Sequence, residues 1–207
     1  MIDELFKREF DIHRDGQTVH PLCETYGLKL VPFKHEKMDE WRDALRRGVR
    51  FLHEPTNLLV TGGIDDIWVD LDTDELVVVD YKATAKNGEV SLDADWQISY
   101  KRQIEVYQWL LRQNGFKVKN TGYFVYTNGQ LDVEGFKDTL KFKTKIIDYY
   151  GSDGWVEPTL QKMKQCLEGD MPAVGTAAMG GPCEFCTYAK SRTELTLSHL
   201  HKSPAKP

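Results

Sequence analysis

Gly62-Gly63-Ile64-Asp65-Asp66-Ile67-Trp68-Val69-Asp70 is followed, across Asp72-Thr73-Asp74, by Leu76-Val77-Val78-Val79-Asp80-Tyr81-Lys82. Both runs, the first starting near residue 57, are rich in Val, Ile, Leu and Trp, with a polar turn between them, which predicts a β-hairpin. Asp80 and Lys82 are two apart on a strand, so their side chains leave the same face. A turn centred on Asp72-Thr73 sets Asp65 opposite Asp80, and one centred on Thr73-Asp74 sets it opposite Lys82. Either register gathers the three on one face. Gly62 and Gly63 leave room for a bulge or a close backbone approach.

Val77, Val78 and Val79 mark a buried strand, and an acid and a lysine at its end need partners there. Two carboxylates suit Mg²⁺ or Mn²⁺, hard ions that prefer oxygen and keep several waters. Such an ion polarises a phosphoryl oxygen and acidifies water, and a nearby lysine stabilises developing charge. This combination fits phosphodiester hydrolysis. A plain Asp80–Lys82 ion pair, with Asp65 as a turn acid, is the competing reading of the spacing alone.

Working outward, Leu5, Phe6 and Phe10 predict a first helix over residues 1–14, and Trp41 and Leu45 a helix over 38–47 stopped by Gly48. Residues 20–33 are mixed and broken by Pro21, Gly27 and Pro32. After a polar loop at 83–93, residues 95–114 form the best helix of the chain, with Tyr100, Ile104, Tyr107 and Leu111 on one face and Gly115 beyond its end. Strands are expected at 122–126 and 139–149, and a helix at 155–167. The tail after Tyr188 reads as loose. The expected architecture is α/β: a small mixed sheet of about four strands flanked by helices. The expected organisation is one domain over 1–188, with its core at about 36–150 and a C-terminal helix and Cys pair at 151–188, followed by a polar tail at 189–207.

Within the long helix, Gln103 and Tyr107 are four apart and share a face. Gly62-Gly63-Ile64-Asp65, then Val78-Val79-Asp80-Tyr81-Lys82, then Gln103 and Tyr107 resemble the RecB-like branch of the PD-(D/E)XK nuclease superfamily, which includes the CRISPR-associated Cas-four exonucleases. The resemblance covers about residues 57–127 well, and no single motif in it is specific. It implies a restriction-endonuclease-like core in which Asp65 and Asp80 bind the metal, the backbone carbonyl of Tyr81 completes its shell and Lys82 is the catalytic lysine. Gln103 and Tyr107, with Tyr100 and Arg102 of the same helix, would line the DNA groove and brace the site. The branch often adds a histidine ligand upstream of the first acid. His53 is the nearest candidate, with His35 and Glu36 behind it. Asp66 alternates to the opposite face and reads as a supporting or structural acid.

Relatives in this branch can hold a 4Fe–4S cluster with one early and three late cysteines. Cys183-Glu184-Phe185-Cys186 is one close pair, Cys23 is early, and a cluster or Zn²⁺ site would have to recruit Cys166 as well. Free buried thiols are the competing reading. An upstream segment carrying the missing ligand is the open alternative, since the first residues read as the middle of a domain.

With 27 basic and 32 acidic residues, net charge −5, the chain is no general nucleic-acid coat, so any nucleic-acid contact needs a local basic groove. The apolar runs are too short to span a membrane and the amphipathic start has no signal-peptide core, so a cytoplasmic setting is expected. Four cysteines in a reducing compartment argue against a disulfide framework. The expected function is a Mg²⁺- or Mn²⁺-dependent deoxyribonuclease in DNA processing, repair or defence, with DNA and a partner protein of a DNA-processing complex as the expected partners. The alternatives are a catalytically inactive member that binds nucleic acid or a partner protein, and a small Cys-based zinc or iron–sulfur module.

Overall fold

The structure, a computed structural model, describes residues 2–135, 137–177 and 180–202. The chain divides into two compact units at Leu160–Gln161. The first contains helices α1 (Ile2–Gly16), α2 (Pro21–Thr25), α3 (Met38–Arg42) and α4 (Ile98–Gln113), and the start of α5 (Val156–Glu168). Its strands are β1 (Leu30–Pro32), β2 (Val49–His53), β3 (Leu58–Gly62), β4 (Asp66–Asp70), β5 (Leu76–Thr84), β6 (Thr121–Gly129) and β7 (Phe142–Tyr150). The second unit contains the rest of α5 and helix α6 (Glu184–Lys202).

Five strands form one mixed sheet in the order β1-β4-β5-β6-β7. β5 is its centre. It pairs antiparallel with β4 through a tight turn and parallel with β6 through the α4 crossover. Val77, Val78 and Val79 are fully buried because both faces of β5 are covered. Leu76 and Val78 pack on the α4 side with Ile67, Ile104 and Phe124. Val77, Val79 and Tyr81 pack on the α1 side with Phe10, Trp68 and Val125. The α/β, restriction-endonuclease-like arrangement expected from sequence is therefore present, with five strands rather than about four in the main sheet.

The β4–β5 register pairs Asp66 with Val79 and Val69 with Leu76, which is the turn centred on Asp72-Thr73. One step further along the ladder sets Asp65 across from Asp80.

Four departures from the sequence reading have physical causes. Residues 57–70 are not one strand: β3 leaves to pair with β2 in a separate two-stranded sheet. The chain turns off at the glycines, where a Cβ on Gly62 would stand 2.6 Å from Tyr107 Cε1 and one on Gly63 would stand 2.3 Å from Ala44 Cβ. The core does not start near residue 36, because β1 pairs with β4 at the sheet edge and α1 covers the sheet face. Pro32 suits that edge position, where no ladder donor is missed. α3 stops at Arg42, and Leu45 is 96% exposed instead of packing beneath Trp41. Residues 189–202 continue α6 rather than forming a loose tail, since nothing from Glu184 to Lys202 breaks a helix; residues 203–207 lie outside the described residues.

Candidate active site

Asp80 is fully buried at the middle of β5, on the α4 face of the sheet. Lys82 forms an ion pair with its Oδ2, yet neither Asp80 oxygen receives a hydrogen bond of acceptable geometry. Burial pushes the Asp80 carboxyl up to about 7; Lys82 opposes the rise, and the adjoining Asp65 carboxylate adds to it.

Asp65 is held just outside β4. Its Oδ2 accepts the backbone N–H of Tyr81 at 3.0 Å, and Lys7 Nζ lies 3.6 Å from its Oδ1. Burial raises its carboxyl too, against the Tyr81 N–H, Lys7 and Lys82, while Asp3 adds to the rise. The pair joins a fully buried carboxylate without a well-formed hydrogen bond, Asp80, to a half-buried one, Asp65, so solvent does little to stabilise the two charges together. It stores a preference for either a proton or a cation.

Lys82 leaves the strand toward α4. Its Nζ donates to Gln103 Oε1 at 3.3 Å and lies 4.5 Å from the centroid of the Tyr100 ring. Gln103 Nε2 in turn donates to Tyr107 Oη at 2.8 Å. The four-residue helical spacing aligns these two side chains, and the close approach of Gly62 fits the backbone beside Tyr107. Burial pushes the Tyr107 hydroxyl up to about 12, and the Asp80 and Asp65 charges add to this, so it remains protonated. The amine at the acids is therefore positioned by a chain of side chains. Trp96, 52% exposed, lies edge-on to Tyr100 beside this group.

The sequence reading missed a third acid. Asp3, in the first turn of α1, raises the Asp65 carboxyl, pairs with Lys7 at 2.9 Å and has a buried Oδ1 with no partner. α1 is brought there by Phe6, which stacks on Tyr81, the residue between Asp80 and Lys82, and by Phe10, whose ring packs tilted against it. The available signal was the four-residue spacing of Phe6 and Phe10 alongside that of Asp3 and Lys7.

Other candidates are placed elsewhere. Asp66 points to the α1 face, where Arg14, Arg42 and the Tyr81 hydroxyl surround it. It is a buried structural hub. Arg102 lies 5.8 Å over the Trp155 ring instead of at the acids. His53 is not brought to the pair. Val49 is the β2 residue facing Gly62, and His53 sits four residues further along, roughly 13 Å away. Its Nδ1 meets Thr56 Oγ1 at 2.7 Å and its Nε2 meets Glu157 Oε2 at 2.7 Å, so both nitrogens are engaged. His35 stacks on Trp41, and its Nδ1 accepts the Lys37 N–H.

Cys23 is packed in the α1-side core, and its thiol is pushed up to about 12, first by burial and then by Asp66 and Glu24. It lies in the first unit, whereas Cys166, Cys183 and Cys186, the other cysteines expected to share a cluster or zinc with it, belong to the second. In the second unit, Cys166 is exposed on α5. Cys183 immediately precedes α6, its N–H donating to the Gly175 carbonyl at 2.7 Å. The Cys186 backbone N–H and side chain hold its thiol below the usual range. Among the described residues no group of three or more His, Cys, Asp and Glu side chains is placed to hold a metal ion. A hard ion that keeps several waters needs fewer protein ligands, and two adjoining carboxylates, with the oxygens of Asp80 lacking a well-formed hydrogen bond, fit Mg²⁺ or Mn²⁺.

Neither the curated proteins nor the solved structures contain a significant match to this chain. A protein-family comparison matches residues 3–191 to the PD-(D/E)XK nuclease superfamily, whose members are generally nucleases that use Mg²⁺ or Mn²⁺. That span includes α1, β1 and the whole sheet as well as the carboxylate pair and its lysine. The chain belongs to the PD-(D/E)XK nuclease superfamily.

Proposed function

We propose that this protein is a divalent-metal-dependent deoxyribonuclease of the RecB-like kind, with Asp65, Asp80 and Lys82 as its catalytic residues. The observation that carries the reading is the adjoining Asp65 and Asp80, both raised by burial, with Asp80 ion-paired to a lysine that Gln103 also holds and without a well-formed hydrogen bond. Asp65 and Asp80 would hold the ion, with the Tyr81 carbonyl as a further oxygen ligand. Bound there, Mg²⁺ or Mn²⁺ supplies Lewis-acid polarisation of the phosphate and a more acidic water.

The chain's own residues do the rest. Lys82 presents an ammonium to the scissile phosphate and to the attacking water, stabilising charge that grows in the transition state. Gln103 fixes where that ammonium lies, and Tyr107 fixes Gln103. Tyr100 covers Lys82 from the side, and exposed Trp96 offers an aromatic surface on which an unpaired base can stack. A role in DNA processing, repair or defence, in the cytoplasm and within a larger protein assembly, is consistent with this centre. No helix among the described residues is long and apolar enough to cross a membrane.

The test is cleavage of end-labelled single-stranded DNA, double-stranded DNA and RNA over a Mg²⁺ and Mn²⁺ series with an EDTA control. Metal-dependent DNA cleavage supports the proposal. Binding without cleavage under every metal would favour an inactive, nucleic-acid-binding member of the superfamily.

A further inference from the structure

The ladder places a second basic group on the same sheet face as the candidate centre. Lys82 pairs across to Tyr126, and Tyr126 to Lys145. Lys145 therefore stands two strands from Lys82, about 10 Å away, in the same row and on the same face. In the next row on that face, Thr84, Asn128 and Lys143 follow one another.

Beside these lysines is a cavity of about 300 Å³, lined by Lys86, Lys143 and Lys145 together with the acids Glu89 and Asp132. Its wall is clamped in place. The Asn128 side chain is buried; its Oδ1 accepts the Lys86 N–H at 2.9 Å, and its Nδ2 donates to the carbonyls of Lys86 and Gly88 at 3.0 and 3.1 Å. The 86–90 segment is thereby tied to the end of β6. Glu89 already brings an anion to the lysines: its carboxylate lies 3.1 Å from Lys145 Nζ and 3.8 Å from Lys143 Nζ.

We propose that this cavity is a subsite for a backbone phosphate of the strand being cut, held by Lys145, Lys143 and Lys86, with Glu89 as the internal carboxylate that the phosphate displaces. The inference rests on the nuclease reading above, because the row from Lys82 to Lys145 defines the path of the strand. A chain of net charge −5 needs its cations concentrated where phosphate must be held, and these three lysines meet that need close to the catalytic face. Glu89 keeps the lysines paired until an anion of higher charge density arrives.

The experiment uses the full chain in EDTA with a short fluorescein-labelled single-stranded DNA, its anisotropy followed over a salt series. Replacing Lys143 and Lys145 together by Ala should weaken binding roughly tenfold at low salt and flatten the slope of log affinity against log salt by about 1.4, two contacts at ~0.7 each. Glu89→Gln, a surface change that leaves both lysines in place, should tighten binding roughly threefold. Unchanged affinity and slope in the double variant, or unchanged or weaker binding in Glu89→Gln, would overturn the subsite; so would a wild-type chain that does not bind the strand. Metal-dependent cleavage by the wild type, measured alongside, separates the two proposals: cleavage that survives with indifferent lysines removes the subsite alone, and absence of cleavage under every metal removes the nuclease reading.

Discussion

Asp65, one residue beyond the Asp66–Val79 end of the β4–β5 ladder, accepts the Tyr81 N–H at 3.0 Å and adjoins Asp80, whose buried carboxylate has the Lys82 ammonium as its ion-pair partner and no well-formed hydrogen bond. The register that brings them together follows from a tight turn at Asp72-Thr73. Burial then makes the pair a poor place for two negative charges and a good one for a cation.

Metal affinity should therefore depend on pH. The Asp80 carboxyl is pushed up to about 7, so below that pH a cation must displace a proton. Mn²⁺ affinity measured by calorimetry is expected to fall about tenfold for each pH unit below 7 and to level off above it. Flat affinity from about pH 5.5 to 8 would show that Asp80 is ionised throughout that range.

Asp80→Asn should stabilise the metal-free protein while abolishing cleavage. The folded protein binds the Asp80 proton more tightly than the unfolded chain, whose group sits near 3.8. Stability from this group is present below about pH 4 and is lost as pH rises through about 7. Asn does not suffer that loss. The variant is expected to melt roughly 10 °C or more above wild type at about pH 8 and close to it near pH 4, from about 1.4 kcal/mol per pKa unit over the rise from 3.8 to about 7. Equal melting temperatures at pH 8 would mean that the acid is not strained.

Gln103 is a positioning residue, since it touches Lys82 rather than the metal ligands. Gln103→Ala should lower kcat roughly 10- to 100-fold with Mn²⁺ affinity retained. Gln103→Glu keeps an acceptor for the ammonium and should recover part of the rate. If kcat is unchanged in Gln103→Ala, Lys82 needs no such brace.

His53→Ala separates a structural histidine from a ligand. Losing its contacts with Thr56 and Glu157 should reduce stability by about 1–2 kcal/mol in chemical denaturation while leaving Mn²⁺ affinity intact. A large loss of metal affinity would return His53 to the centre.

Much of this architecture could be read from local pattern. Alternation in Val77–Lys82 and the polar turn before it determine which side chains share a face, and the spacing of Gln103 and Tyr107 places both on the side of α4 that meets β5. The features that could not be read depend on tertiary packing. Asp3 reaches Asp65 only because Phe6 and Phe10 seat α1 on Tyr81. β3 leaves the hairpin to pair with β2, at two glycines that Tyr107 and Ala44 approach too closely for a side chain. The partner that engages His53 is Glu157, far along the chain. α6 forms without a buried apolar stripe, so no hydrophobic period marks it.

The most direct measurement compares wild type and Lys82→Ala for Mn²⁺-dependent cleavage of end-labelled DNA at equal protein and metal concentrations, with folding and DNA binding checked on the same samples. The expected result is metal-dependent cleavage by wild type and none by the variant, both folded and both binding DNA. Full cleavage by Lys82→Ala would show that the ammonium beside the two acids takes no part in the chemistry.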